Sequence, residues 1–306
     1  SILLGLGFSP YELMLQLLAK GNDIFTGGRE YYSHPNYKGD DKANIIHQSS
    51  ATGMQAIPTT GVAQGIKFLE RIQSDKLKKG VNGELPVVIC SLGDASVTEG
   101  EGSEAFQFAA LHQLPIIFLV QDNGWGISVT SEEARTNNAN EMVKGFKGIK
   151  RISIDGSDFL QSYDVMKNVV DEVRAERHPF LVHARVPLLG HHTSGVRKEF
   201  YRTDEDLAKH AEDDPGPKLR NKLLETGVTE ETLSSIETET AKEVLHHFQG
   251  ATAAPEPDPA TVSDFIFVPT PVTEETGERE PANKEKVPMV DAALFAIREI
   301  MEDYPE

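Results

Sequence analysis

Residues 86–129 read PVVICSLGDASVTEGEGSEAFQFAALHQLPIIFLVQDNGWGISV. Two short apolar runs, Pro86–Leu92 and Leu114–Val120, bracket a segment with helical spacing. Neither run alternates polar and apolar residues, the pattern expected of a strand covered on both faces. A polar turn closes each run: Gly93-Asp94 after the first and Asn123-Gly124 after the second. Ser96-Val97-Thr98-Glu99 has capping-box spacing ahead of the helix. Ala105, Phe108, Ala109 and His112 share a helical face, with Leu111 close to it. A connection of this length makes the two strands parallel and the crossover right-handed.

The same pattern recurs downstream. Arg151–Ile154 reads as a strand ending at Asp155-Gly156, and Tyr163–Glu176 as a helix with Val165, Val169 and Val173 at spacing four. Phe180–Pro187 is another strand. The expected fold class is α/β, a doubly wound, mostly parallel sheet. Upstream, a helix starts near Ser9-Pro10, with the proline in its first turn. Residues 21–48 are polar loop. The small-residue turn Ser49–Gly53 leads into a helix, where Ala56, Thr59, Gly61, Ala63 and Gly65 suit close packing.

Beyond Leu189 the sequence predicts a polar loop to Thr203, then a helical tail over 204–249. Residues 251–285 are rich in Pro, Glu and Thr and read as a linker or extended arm. An amphipathic helix starts near Val287. The expected organisation is therefore a diphosphate-binding domain over 1–250, an arm over 251–285 and the start of a further domain over 286–306.

Composition limits the function classes. The 306 residues are 39% hydrophobic and 25% charged, as in a soluble globular protein. No apolar run approaches the roughly 20 residues of a membrane span. The net charge of −18 repels nucleic acid, so any anion site must be local. The single cysteine, Cys90, excludes an internal disulfide and favours a reducing compartment, here the cytoplasm.

In open parallel sheets, ligands bind beyond the carboxyl ends of the strands, where Asp94 and Asn123 lie. A carboxylate and an amide oxygen are hard ligands suited to Mg²⁺ or Ca²⁺. Gly93-Asp94-Ala95-Ser96 enters a helix, whose free N–H groups can face phosphate. From the residues alone, this is equally an ordinary βα turn with an Asp cap and an Asn turn.

Asn123 follows Asp94 by twenty-nine positions, a spacing that resembles the GDG…N motif of thiamine diphosphate enzymes. The run GDASVTEGEGSEAFQFAALHQLPIIFLVQDNGWGIS is similar to GDGAASEGDxHEAxNFAAxxxLPxxFxxxNNxYAIS, a pattern of the α-subunit of 2-oxo acid dehydrogenase E1 components. Leu189-Gly190-His191-His192-Thr193-Ser194 resembles that family's histidine loop, in its branched-chain form. Ala95 departs from the second glycine of the motif and requires a helix-compatible backbone there.

The resemblance implies thiamine diphosphate and Mg²⁺ as cofactors. Asp94 and Asn123 would ligate the metal through side chains and Trp125 through its carbonyl. Gly93, Ala95 and Ser96 would lie against the diphosphate. Ile127 would pack near the cofactor rings, and Gly53 and Met54 would offer backbone contacts to the pyrimidine. His192 would position substrate or transfer protons, with His191 a weaker candidate; read without the motif, both are loop histidines.

The implied reaction is oxidative decarboxylation of a branched-chain 2-oxo acid, with acyl transfer to the lipoyl group of an E2 partner. A pyruvate or acetoin dehydrogenase E1 component, and a non-catalytic assembly fragment, remain the alternatives. The ring-activating Glu of the family comes from the E1 β-subunit. Because 286–301 resembles the first β-subunit helix, the parent is expected to be a fused α–β chain, assembled as a homodimer or an α₂β₂-like unit.

Overall fold

The computed structural model describes residues 2–80, 82–192, 197–267 and 286–304. Chain contacts divide it into two compact units, 1–259 and 260–306. The first is built on a four-stranded, all-parallel sheet of β1 (Val88–Gly93), β2 (Ile116–Asp122), β3 (Lys150–Asp155) and β4 (Phe180–Arg185). Their spatial order is β1-β2-β4-β3. The apolar runs at 86–92 and 114–120 become the adjacent strands β1 and β2.

Both faces of the sheet are covered, as unbroken apolar strands require. On one face, Leu92, Ile116, Phe118, Val120 and Leu181 pack with Ala56 and Ala63 of α2 (Ala56–Arg71) and Phe106 and Ala109 of α3 (Gly100–His112). On the other, Ile117, Ile154, Val182 and Ala184 pack against Val169 and Val173 of α4 (Phe159–Glu176). The period-two alternation of Ile116, Ile117 and Phe118 thus feeds two separate cores. The chain is a doubly wound α/β protein.

Several local expectations are corrected. In α3 the buried face is Ala105, Phe106, Ala109 and Ala110; Phe108 and Leu111 are exposed. The helix is apolar on adjacent arcs, so spacing alone cannot choose its phase. Ser96 and Glu99 do not form a capping box: Ser96–Thr98 is a single 3₁₀ turn, and Glu99, at the N-cap of α3, makes no side-chain cap bond. The Gly93–Ser96 turn therefore does not run directly into an α-helix. In α2 the packed residues are Ala56, Thr59, Thr60 and Ala63, whereas Gly61 and Gly65 face open space.

The first helix, α1 (Pro10–Leu17), begins with a complete capping box: Glu12 N–H donates to Ser9 Oγ, and Ser9 N–H donates to Glu12. The helical tail is three helices, α5 (Asp204–Glu212), α6 (Pro215–Glu225) and α7 (Glu230–Ala253). The segment after α7 stays with the first unit. Gly21 N–H donates to the Pro255 carbonyl at 2.9 Å, and Lys20 pairs with Glu256. The unit thereby reaches Pro259, past the expected boundary at 250.

In the second unit, α8 (Met289–Asp303) matches the amphipathic segment and buries none of its residues. The 268–285 part of the expected arm lies outside the described residues. Among the described residues no helix is long and apolar enough to cross a membrane.

Candidate functional site

The register of the sheet sets the site. Gly93 pairs with Gln121, so the next residues, Asp94 and Asp122, stand side by side at the carboxyl edge, and Asn123 follows. Adjacent strands lie about 4.8 Å apart, which brings two carboxylates close together. Both are largely buried, with side-chain exposures of 3% for Asp94 and 12% for Asp122.

Arg135 lies between them. Its Nη2 donates to Asp94 Oδ2 at 2.6 Å, to Asp122 Oδ1 at 3.1 Å and to Ser131 Oγ at 2.6 Å. Local sequence explains how it arrives. After Asn123, a two-residue ribbon pairs Trp125 with Thr130 and Gly126 with Val129, reversing the chain. Thr130 then caps a helical turn, Ser131–Ala134, in a capping box with Glu133, and Ser131 N–H donates to the Gly124 carbonyl at 2.9 Å. The turn ends with Arg135 folded back over the sheet edge.

The two carboxylates titrate in opposite directions. Burial pushes the Asp94 carboxyl above its ordinary range, a tendency opposed by the Arg135 hydrogen bond and reinforced by the Asp122 charge. Burial also works against ionised Asp122, but the hydrogen bond from His183 and the charge of Arg135 outweigh it and hold Asp122 low. His183 Nε2 lies 2.8 Å from Asp122 Oδ2, and its Nδ1 lies 3.1 Å from Ser153 Oγ. With Asp122 ionised and accepting only, His183 Nε2–H donates to it.

The other predicted cofactor residues gather at this edge. A Cβ placed on Gly126 would lie 3.2 Å from the Ala95 Cβ, and one on Gly53 would lie 3.0 Å from the Ser96 carbonyl oxygen. Gly53 adopts φ +83°, which favours glycine. Ala95 is right-handed helical, φ −69° and ψ −35°, as its missing glycine demands. Gly93 and Ser96 are half-buried and Met54 is exposed. Asn123 Oδ1 accepts from Trp125 N–H at 2.9 Å and keeps a second lone pair. Ile127 has φ +58° and an exposed side chain; a β-branched residue there is strained.

The histidine loop is anchored at its two ends. Arg202 Nη1 donates to the Leu188 carbonyl at 2.7 Å, and its guanidinium lies 5.5 Å from the centre of the Trp125 ring. The Tyr201 ring lies 5.6 Å from Trp125. This fixes the loop's base beside the predicted metal segment. His191 and His192 are exposed; His191 Nδ1 accepts from Lys198 N–H at 3.2 Å. Thr193 and Ser194 lie outside the described residues.

The donor set fits a divalent cation and a diphosphate in its chemistry. Asp94 is a buried carboxylate of the hard-oxygen type, now paired with Arg135, Asn123 supplies an amide oxygen, and glycines at 53 and 126 leave room against the 93–96 turn. Sequence reading missed Asp122, Arg135, Ser131, His183 and Ser153. The one available signal was Asp122, a carboxylate where the E1 pattern has asparagine.

The dehydrogenase E1 component family model matches residues 1–260. Over 188 residues the chain is 33% identical to the mitochondrial 2-oxoisovalerate dehydrogenase subunit alpha of Pan troglodytes, covering 60% of this chain and 42% of that protein. It is 34% identical over 167 residues to the 3-methyl-2-oxobutanoate dehydrogenase subunit alpha of Mycobacterium tuberculosis, covering 54% and 45%. The 2-oxoisovalerate dehydrogenase subunit alpha of Bacillus subtilis is 25% identical over 268 residues, covering 87% and 76%. The chain thus spans under half the length of the first two relatives. With the family model covering the sheet, the paired strand ends and the histidine loop, the chain belongs to the dehydrogenase E1 component family.

Proposed function

We propose that this chain supplies the metal–diphosphate half of a thiamine diphosphate- and Mg²⁺-dependent E1 component. It acts in oxidative decarboxylation of a branched-chain 2-oxo acid, with acyl transfer to the lipoyl group of E2. The observation that carries this reading is the position of Asp94 and Asn123 just beyond the ends of two paired strands, within a family match that covers both. The branched-chain substrate rests on the names of the relatives and on the paired His191-His192.

Thiamine diphosphate, when bound, supplies the carbon nucleophile and the electron sink that 2-oxo acid decarboxylation needs. Asp94 and Asn123 would hold Mg²⁺ through oxygen atoms, and Trp125 through its carbonyl. Gly93, Ala95 and Ser96 would lie against the diphosphate, Gly53 and Met54 against the pyrimidine, and Ile127 would offer its exposed apolar side chain to the rings. His192 would orient the substrate and move protons at its oxygen, with His191 beside it. An E1 β-type subunit or domain would complete the site.

Asp94→Asn removes the anionic ligand while nearly keeping its shape. Titration calorimetry with Mg²⁺ and thiamine diphosphate should show at least about a tenfold loss of affinity, from the weaker metal ligand. Affinity equal to wild type would sink the assignment. Turnover of 3-methyl-2-oxobutanoate and pyruvate with an artificial electron acceptor, in the β-completed enzyme, tests the substrate: higher kcat/KM for pyruvate would reject the branched-chain reading.

A further inference from the structure

In the Asp94–Asp122–Arg135 cluster, two carboxylates face one guanidinium. Asp122 also bonds His183 Nε2 and accepts from Gly124 N–H, whereas among the described residues Arg135 is the only side chain that donates to Asp94. One nitrogen, Nη2, carries two hydrogens but serves three acceptors, Asp94, Asp122 and Ser131. Among the described residues, Arg135 Nε and Nη1 make no hydrogen bond. The guanidinium is used as a point charge, not as the bidentate fork that stabilises arginine–carboxylate pairs.

The guanidinium also has somewhere to go. An open cavity of about 470 Å³ adjoins Arg135 and is lined by Thr98, Glu132, Glu133 and Asn137 among others. Glu133 is committed to capping Thr130. Glu132 makes no hydrogen bond among the described residues.

Resting on the metal–diphosphate reading above, we infer that Arg135 is a resident counter-cation, exchanged for the metal ion. Without metal, it balances Asp94 and Asp122 and keeps the strand ends together. When a divalent ion binds Asp94 in place of the guanidinium, Arg135 turns out toward Glu132. Metal affinity is then set partly by how firmly Arg135 is held, and Asp122, through its bond to Arg135, is a positioning residue.

Mn²⁺ binding in the presence of thiamine diphosphate, read from loss of the free-ion EPR signal, tests this without turnover. Arg135→Gln removes the competing charge and should tighten Mn²⁺ binding at least about fivefold, because a blocked site lowers apparent affinity by the fraction blocked. Equal or weaker binding by R135Q, beside saturable binding in wild type, overturns the exchange and leaves the metal reading standing. No saturable binding in either protein overturns both.

Should metal-free R135Q not fold, the wild-type protein still decides the matter. The ¹⁵N signals of the Arg135 side chain, assigned by their absence in Arg135→Lys, should move when Mg²⁺ and thiamine diphosphate are added. Signals unmoved at saturating metal overturn the proposal.

Discussion

Charge clusters mark both ends of the sheet. At the carboxyl end, Arg135 holds Asp94 and Asp122, and all three side chains are nearly closed off from solvent. At the amino end, Lys150 pairs with Glu172 at 2.6 Å and with Glu176 at 3.0 Å, and His178 Nε2 approaches Glu172 at 3.1 Å. There Lys150 is 52% exposed and Glu176 57%, so water and salt screen what they gain. The charges are similar in kind and number, but the surroundings differ. A cation removed at the amino end is replaced by solvent; one removed at the carboxyl end leaves two largely buried carboxylates.

The largest effect should come from breaking the buried cluster. Arg135→Met in the metal-free protein should lower the unfolding free energy by about 3–5 kcal/mol, since it strands uncompensated buried charge. Urea unfolding checks this, and a loss below about 1 kcal/mol would remove the contrast between the two ends.

Cys90 tests burial without any charge partner. Burial in the middle of β1, opposed by a hydrogen bond with Thr59, pushes its thiol up to about 12 from an ordinary value near 9. Between these values the unfolded chain gives up the proton and the folded chain keeps it. The stabilisation is complete below pH 9 and fades as pH rises to 12, by up to about 1.4 kcal/mol per unit. Unfolding measured at pH 9 and pH 10 should show this slope in the wild type and a shallower one in Cys90→Ala. Equal slopes would mean the thiol is far less protected than its position suggests. The smallest effect is Lys150→Met, whose urea midpoint should match wild type; a clear drop would mean the amino-end cluster is no ordinary solvated ion-pair group.

The fold was readable in the sequence wherever one physical demand dominated. Unbroken apolar runs ending in Gly93-Asp94 and Asn123-Gly124 could only be covered strands, and the connection between them had to cross over a helix. The phase of α3 was not readable, because Phe106 and Phe108 are both apolar and only the packed sheet distinguishes them. Ser96 and Glu99 had the spacing of a cap, but the chain uses that stretch for a 3₁₀ turn.

The site was readable in part. Asp94 and Asn123 stand at conspicuous strand ends, whereas Arg135 is one arginine in a polar stretch, forty-one positions from its partner. Its placement depends on a ribbon of two-residue strands and one turn of helix, both too short to carry a periodic signal. His183 sits in a run that reads as plain buried strand. That it bonds Asp122 on one side and Ser153 on the other follows only from the order β2-β4-β3.

The pairing of Gly93 with Gln121 bears on how this protein can change over evolutionary time. Side chains alternate faces along a strand, so an insertion or deletion of one residue within β1 or β2 would turn Asp94 or Asp122 to the opposite side of the sheet. The spacing between the two carboxylates is held by backbone ladders, not by the side chains themselves. Changes of length are tolerated only beyond the strand ends, in the loops that follow.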